Sequence, residues 1–98
     1  MNREVVVHEA AEQEIAEAVT WYEARRPGLG ADLIREAASA LQGIAEGFDG
    51  IPYLGDHAIR RVLLGRFPYS VVFLASGTLE EVLAFAHHRR RPGYWRNR

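Results

Sequence analysis

The stretch of sequence that decides the fold is residues 69–86, YSVVFLASGTLEEVLAFA. Residues 69–75 are almost continuously apolar, and residues 79–86 are apolar again after Ser76-Gly77-Thr78, a sequence typical of a hairpin turn. Upstream, residues 59–66 alternate between apolar and polar side chains. Phe67-Pro68 interrupts this first pair, because proline cannot donate to a strand ladder and belongs at a turn or a strand start. The second half of the chain therefore predicts three consecutive antiparallel strands.

The first half of the chain changes from a strand pattern to a helical one. The short, β-branched run from Val5 to Val7 favours a strand. From residue 9 to about residue 25, the apolar side chains fall on one stripe of an amphipathic helix. The apolar stripe contains Ala11, Ile15, Ala18, Val19 and Tyr22, and the polar side contains Glu12, Gln13, Glu14, Glu17 and Glu23.

A second helix is predicted from about residue 30 to residue 47. Its apolar stripe contains Ile34, Ala37, Ala38, Leu41, Ile44, Ala45 and Phe48. The link between the helices, residues 26–30, contains a proline and two glycines, which break a helical pattern. Because this link is short, we expect the two helices to form an antiparallel hairpin. A loop rich in Gly, Pro and Asp is predicted from Asp49 to His57.

These elements follow the order strand, helix, helix, strand, strand, strand, which defines an α+β domain. We expect the helical hairpin to pack on a small antiparallel β-sheet, with the apolar stripes of both helices facing the strand of residues 69–75. Ninety-eight residues are enough for one hydrophobic core, so residues 1–98 are predicted to form a single domain.

The charged residues are distributed unevenly, although the formal net charge is only −1. Residues 1–57 carry four arginines and eleven acidic residues, a net charge of −7. Residues 58–98 carry eight arginines and two glutamates, a net charge of +6. This distribution favours an anionic partner for the second half, either a nucleic acid or an acidic protein segment. All twelve basic residues are arginine, which excludes any mechanism that uses a lysine.

Several classes of function are excluded by composition. The absence of cysteine excludes disulfide scaffolds, thiol catalysis and cysteine-ligated zinc. No apolar run approaches the roughly 20 residues that cross a bilayer, and residues 1–7 lack the sections of a signal peptide, so we expect a cytoplasmic protein without membrane contact. We expect no cofactor, because one domain of this length leaves no room for a cofactor-binding domain. We expect no metal, because His87 and His88 are adjacent on a strand and point to opposite faces.

The last twelve residues, HHRRRPGYWRNR, carry five arginines, two histidines and two aromatic residues without an acidic residue. Arginines beside aromatic side chains are typical of phosphate binding and base stacking. The alternative is a terminal tail in which Tyr94 and Trp95 fold back on the core. A histidine beside Arg90 also suits cleavage at the 2′-hydroxyl of RNA, with Tyr94 as proton donor, because that reaction needs a base, an acid and a cation at the phosphate.

Three more arginines, Arg60, Arg61 and Arg66, lie on the predicted strand of residues 59–66. In a regular strand Arg60 and Arg66 share one face. Two arginines on one face of a sheet favour an anion site, but charged side chains on an edge strand also serve to prevent aggregation. Both interpretations stay open from the sequence.

Several segments together resemble the RelE/ParE superfamily of small toxins of type II toxin–antitoxin systems. The matching segments are Ala18 to Glu23, Arg26 to Gly30, Ile59 to Arg61, Arg66 to Tyr69, Ala84 to His87, Arg89-Arg90 and Pro92 to Trp95. They occur in the order and spacing of the family across nearly the whole chain. The tryptophan–tyrosine pair of the first helix, the Phe-Pro-Tyr segment and the C-terminal ending are most similar to the ParE branch.

The resemblance implies a RelE/ParE toxin-like fold and a hetero-oligomer with a cognate antitoxin, whose acidic or amphipathic C-terminal segment wraps the toxin. For a plasmid-stabilisation toxin of the ParE branch it implies inhibition of DNA gyrase, with no catalytic residues. The residues expected to contact the antitoxin or the target are Arg60, Arg66, Arg89, Arg90, Tyr94 and Trp95.

Two alternatives are carried beside the gyrase inhibitor. The first is a ribosome-dependent mRNA endonuclease of the RelE type, in which His87, Arg90 and Tyr94 are the base, the phosphate clamp and the acid. The second is a non-toxic relic that still binds an antitoxin.

Overall fold

The computed structural model describes residues 3–47, 53–54, 56–75 and 79–98. In this part of the chain two helices and four of the five strands follow the predicted α+β order, and the fifth strand, β2, lies within the predicted loop. The elements are β1 (Glu4–Val7), α1 (Glu9–Arg25), α2 (Leu29–Glu46), β2 (Tyr53–Leu54), β3 (Asp56–Leu63), β4 (Tyr69–Ala75) and β5 (Leu79–His87). The predicted helices and the predicted strand of residues 69–75 are confirmed to within a residue or two.

The described strands form one sheet in the order β1-β5-β4-β3-β2. β3, β4 and β5 are antiparallel neighbours, as predicted, and β2 also pairs antiparallel with β3. β1 occupies the other edge and pairs parallel with β5, from Glu4 opposite Leu79 to Val7 opposite Val82. The helical hairpin therefore carries the chain from one edge of the sheet to the other.

An irregularity in the pairing of β4 with β5 sets the orientation of the side chains in β5. The register shifts at Phe73 of β4, where β5 accommodates Leu83 as an extra residue. A bulge of this kind interrupts the alternation of side chains between the two faces. As a result Val82 and Phe85 both pack with the helices, whereas Leu83 and Ala84 both pack on the opposite face.

The two helices are joined tightly by a cap that one helix provides for the other. Gly28 in the link has a φ of 98°, a conformation that L side chains rarely adopt. The Glu23 carboxylate of α1 accepts hydrogen bonds from the N–H groups of Gly28 at 3.1 Å and Gly30 at 2.9 Å. Because the first N–H groups of a helix have no partner inside the helix, Glu23 satisfies the start of α2 and fixes the hairpin.

The main core lies between the helical hairpin and one face of the sheet, here called the helix face. Its buried members are Ala11, Ala18, Leu33, Ala37, Ile44, Leu64, Phe67, Val71, Phe73, Val82 and Phe85. A smaller apolar cluster lies on the other face, here called the open face. It consists of Ile59, Val72, Leu83, Ala84 and Trp95. The helices thus cover one face of the sheet, while the open face is covered in part by Trp95.

The predicted apolar stripe of α2 is rotated from the observed one. Leu33, which the prediction omitted, is fully buried, whereas Ile34 is 51% exposed. Leu33 lies four residues before Ala37 and eleven before Ile44, so these three side chains share one side of the helix. The apolar pattern of α2 fits two stripes, one that contains Leu33 and one that contains Ile34, and Ala37 belongs to both. The prediction chose the stripe of Ile34, whereas the structure buries the stripe of Leu33.

The prediction for the strand of residues 59–66 is wrong at its C-terminal end, because β3 already ends at Leu63. Residues 65–68 form a bend, as expected where glycine and proline interrupt a strand. Part of the predicted loop of residues 49–57 forms β2 and the start of β3. The predicted turn at residues 76–78 lies outside the described residues.

Candidate functional site

The chain continues beyond β5 as a series of turns over residues 88–98, here called the C-terminal segment. Its first residues are fastened by two backbone hydrogen bonds, from His88 N–H to the Pro68 carbonyl at 2.9 Å and from Arg90 N–H to the His87 carbonyl at 2.9 Å. Gly93 then adopts a φ of 77°, which allows a sharp change of direction. The chain returns across the open face of the sheet.

Trp95 anchors the C-terminal segment on the open face. Its side chain is 4% exposed and packs into the smaller apolar cluster, which contains side chains of β3, β4 and β5. Tyr94 beside it is half-buried against the same cluster. Of the two alternatives for the last twelve residues, the structure contains the tail that folds back on the core. In this arrangement Trp95 contributes packing and presents little surface to a partner.

Glu14 of α1 holds the C-terminal segment by a second set of contacts. Its carboxylate accepts a hydrogen bond from the Tyr94 hydroxyl at 2.6 Å, two from the Arg98 guanidinium at 2.8 Å and 3.0 Å, and one from Phe85 N–H at 3.0 Å. Arg98 also donates to the Leu83 carbonyl at 2.9 Å. We call the contacts among Glu14, Phe85, Tyr94 and Arg98 the Glu14 clamp.

The Glu14 clamp completes an edge of the sheet. β1 ends opposite Val82, and within the described part of the chain no strand continues along β5 on that side. Partly buried N–H and C=O groups of the backbone need hydrogen-bond partners. Glu14 satisfies the Phe85 N–H, and Arg98 satisfies the Leu83 carbonyl. A helix side chain and a side chain of the C-terminal segment therefore take the place of a strand.

The clamp shifts the pKa of each ionisable side chain in it. Burial alone would raise the pKa of Glu14, but the hydrogen bonds from Arg98, Tyr94 and the Phe85 N–H outweigh burial and hold its pKa below the usual value. Burial and the hydrogen bond to Glu14 raise the pKa of Tyr94 well above its usual value. The same carboxylate raises the pKa of Arg98. At neutral pH the clamp therefore combines a carboxylate, a neutral phenol and a guanidinium.

A cleft of about 380 Å³ lies between α1 and the end of β5, beside the clamp. Trp21, Tyr22, Tyr69 and Phe85 form its aromatic wall, and His87 lies at its rim. Trp21 is 50% exposed, which makes it one of the largest apolar groups on the surface. Burial, together with the charges of neighbouring arginine and histidine side chains, lowers the pKa of His87, so its imidazole is neutral at neutral pH.

The structure brings together the three residues predicted for a nuclease. His87 and Arg90 line the same cleft, and the Arg90 guanidinium carbon lies 3.8 Å from the ring centroid of Tyr94. The Tyr94 hydroxyl, however, donates its hydrogen bond to Glu14. A phenol with a raised pKa and an occupied proton is a poor general acid. The arrangement supplies a neutral imidazole and a cation, with Tyr94 acting mainly as support for Arg90.

The arginines predicted to bind a partner lie in separate places. Arg60 is opposite Phe73, whose side chain belongs to the core of the helix face. Arg66 lies in the bend after β3, where its guanidinium is 3.5 Å from Asp32 and 3.8 Å from Glu36 of α2. The expectation that Arg60 and Arg66 share a face of one strand is therefore wrong, because β3 ends before residue 66. Arg89 and Arg90 are exposed on the C-terminal segment.

Sequence reasoning missed Glu14 and Arg98 as functional residues. Glu14 was assigned to the polar side of α1, but it lies three residues after Ala11 and four before Ala18, which are both buried. An acidic residue on the margin of an apolar stripe is a signal that was available in the sequence. Nothing in the sequence indicated that Arg98 would pair with Glu14, because 84 residues separate them.

The arrangement of side chains and the length of the helices bear on metal binding and on membrane insertion. Among the described residues, no group of three or more His, Asp or Glu side chains is arranged to hold a metal ion. In the same ranges, neither helix is long and apolar enough to span a membrane.

This architecture is also found in a solved structure of another protein. No protein-family model and no curated protein matches the sequence. Among solved structures, the chain is similar to one from a structure described as the chromosomal ParDE TA system from P. aeruginosa. The TM-score is 0.74 and the sequence identity is 12%, over 87% of this chain and 95% of the other.

The fold gives the general class of this protein. The chain is an α+β domain in which a helical hairpin covers one face of a mixed sheet. More particularly, its fold is that of a chain from a ParDE toxin–antitoxin system, which confirms the RelE/ParE toxin-like fold expected from the resemblance. At 12% identity this similarity describes the fold, and the function is argued separately below.

Proposed function

We propose that this protein is the toxin of a type II toxin–antitoxin pair, that it inhibits DNA gyrase and so blocks replication, and that a cognate antitoxin neutralises it. The similarity in fold to a chain of a ParDE system carries this proposal. The segments that resemble the RelE/ParE superfamily extend along nearly the whole chain, and three of them are most similar to the ParE branch. The toxin and its antitoxin form a hetero-oligomer in this proposal.

The choice of gyrase rather than mRNA rests on the Glu14 clamp. A nuclease that used Tyr94 as its acid would need the phenolic proton to reach a leaving group. That proton is engaged at 2.6 Å from Glu14, and the raised pKa of Tyr94 opposes its release. The geometry therefore favours a protein that acts by binding, with the clamp as a support for the exposed Arg89 and Arg90.

The antitoxin is proposed to contact the arginines of the second half of the chain. Arg60, Arg66, Arg89 and Arg90 are the candidates, and Tyr94 and Trp95 hold the segment that carries the last two. An acidic antitoxin segment suits these residues, because opposite charges across an interface favour association and suppress wrong partners.

The target is tested by pulse-labelling DNA and protein synthesis in bacteria in the minutes after this chain alone is induced. We expect DNA synthesis to stop first, and purified gyrase to lose supercoiling activity when the chain is added. Early arrest of protein synthesis, with mRNA cut in the presence of ribosomes, would contradict the proposal. In that case His87→Ala and Arg90→Ala should abolish cleavage.

The antitoxin contact is tested with the product of the reading frame next to this one. We expect Arg60→Ala and Arg66→Ala to lower the affinity of the complex, with Arg25→Ala as a control that removes an exposed arginine from the first half. If the affinities of all three variants equal that of the unchanged protein, these two arginines do not form the antitoxin contact.

A further inference from the structure

A second cavity, of about 180 Å³, lies on the open face of the sheet, on the opposite side from the helices. Strands β3, β4 and β5 form its floor, and the C-terminal segment forms its wall. Four arginines line it, and they come from both parts: Arg61, Arg90, Arg91 and Arg96. Two histidines, His87 and His88, line it as well, and no Asp or Glu lines it among the residues that the structure describes. We call this cavity the arginine pocket.

The floor of the arginine pocket is polar at one point. Ser70 of β4 is only 2% exposed, and its hydroxyl lies 3.1 Å from His88 Nε2. A buried hydroxyl and an imidazole are groups that donate hydrogen bonds to oxyanions. The pocket therefore combines cationic walls with hydrogen-bonding groups at its base.

Two of the four arginines have no partner within the described part of the chain. Neither Arg61 nor Arg91 forms a side-chain hydrogen bond or ion pair there. Arg90 is 3.9 Å from Glu14 and also stacks on Tyr94, while Arg96 lies 5.1 Å from the ring centroid of Trp95. Like charges that converge without a counter-charge repel each other, and an anion between them relieves that repulsion.

We infer that the arginine pocket binds a phosphate group of a DNA backbone. Guanidinium groups bind phosphate through two parallel hydrogen bonds, which suits a pocket lined by arginines from several directions. Arg89 is exposed next to the pocket and extends its positive surface. The single carboxylate of an acidic side chain would therefore neutralise only part of this positive charge. A nucleic acid presents a charge at every phosphate and matches such an extended surface.

The pocket recognises the backbone and not the bases. The face of Tyr94 is occupied by Arg90, and Trp95 is buried, so neither aromatic ring of the C-terminal segment is available for stacking. Contacts to phosphate fix position but carry no sequence information. The inference deepens the proposed function and rests on it, because a toxin directed at gyrase meets its target on DNA.

The test measures binding of a fluorescent DNA duplex of arbitrary sequence to the full chain by fluorescence anisotropy at several salt concentrations. We expect Arg61→Gln and Arg91→Gln each to weaken binding severalfold, and to reduce the slope of log affinity against log salt by about 1. Arg35→Gln is the matched control, because it removes the same charge from an exposed position of α2 that does not line the pocket. A duplex of different sequence should bind equally well.

Three results would overturn the inference. The first is no binding of DNA by the unchanged chain, and the second is an equal loss of binding in Arg61→Gln and Arg35→Gln. The third is Arg61-dependent binding of inorganic phosphate or of a glutamate-rich peptide by a chain that does not bind DNA. Thermal unfolding of each variant establishes that it is folded. The gyrase assay separates the two proposals. Inhibition of gyrase without DNA binding refutes the pocket alone, whereas Arg61-dependent DNA binding without inhibition refutes the gyrase target alone.

Discussion

The two faces of the sheet are covered by different means. On the helix face, α1 and α2 bury side chains such as Phe73 and Leu33 completely, and apolar packing fixes their position. On the open face, a single tryptophan and the Glu14 clamp hold the C-terminal segment in place. The first covering is large and apolar, while the second is small and depends on one carboxylate.

This difference separates stability from function within one small domain. The helix face contributes more to stability, because eleven of the described side chains are buried in its apolar cluster and five in that of the open face. The open face carries the arginine pocket, whose arginines lie on β3 and on the C-terminal segment. Because fewer buried side chains hold that segment, we expect it to open locally at a lower free energy than the whole domain. The four predictions that follow vary one face at a time, from the largest effect to the smallest.

The largest effect is expected from Phe73→Ala on the helix face. Phe73 is fully buried, and truncation of a buried phenylalanine costs about 3–5 kcal/mol through lost transfer free energy and a residual cavity. Urea denaturation measures this loss. Trp21→Ala is the control, since half of that side chain already contacts water and its loss should matter far less. Equal losses in the two variants would show that exposure does not set the cost here.

Glu14→Gln is expected to loosen the open face by about 2 kcal/mol, because a hydrogen bond to a charged group contributes about 1.5–3 kcal/mol. The amide cannot accept both bonds from Arg98 and lacks the charge that pairs with it. Urea denaturation gives the total, and hydrogen exchange should be faster at the Phe85 amide, which donates to Glu14. Glu17→Gln is the matched control on the same helix. If both variants behave alike, the clamp contributes no stability.

The clamp also predicts a loss of stability in acid. The folded carboxylate of Glu14 has a pKa below the value of 4.5 for the free side chain, so it binds a proton less readily than in the unfolded chain. Its contribution is therefore fully present above pH 4.5 and is lost as the pH falls through the lower folded pKa. Thermal unfolding followed from neutral pH into this range should show a shallower decline in Glu14→Gln. Parallel curves for the two proteins would contradict the assignment.

The smallest effect is expected from Gly93→Ala, at about 1–2 kcal/mol for a left-handed alanine. A Cβ at this position would lie 2.5 Å from Arg96 Nε, but Arg96 is exposed and can move. Gly28→Ala is the control, because φ is also positive there and no atom lies within 4 Å of the added Cβ. We expect Gly93→Ala alone to speed hydrogen exchange in the C-terminal segment. Faster exchange there in Gly28→Ala would mean that the two faces are not independent.

Much of the fold was predictable because each element has a clear period. The bounds of both helices and of β4 agree with the sequence pattern to within a residue or two. The errors lie where a local pattern is ambiguous. Arg66 continued an alternating pattern but lies in a bend, and Ile34 lay at the margin of a stripe whose centre is Leu33.

The candidate site was predictable only in part. The sequence indicated that His87, Arg90 and Tyr94 lie near one another, since they are close along the chain. It did not indicate Glu14, whose role depends on contacts with residues more than 70 positions away. The sequence also did not show that the arginine pocket and the cleft beside α1 are two different cavities. To distinguish them, one must know which face of the sheet each side chain occupies.

The sequence by itself determined the elements, their order and the concentration of arginine in the second half, because periodicity and turn residues act locally. Only the tertiary structure decided that the C-terminal segment folds back, since Trp95 needs a cluster assembled from three strands and Glu14 needs a β5 edge left open by a short β1. It also decided which arginines converge, because a bulge in β5 and the end of β3 set the face on which each side chain lies. These contacts join distant parts of the chain, and they form only when the sheet is complete.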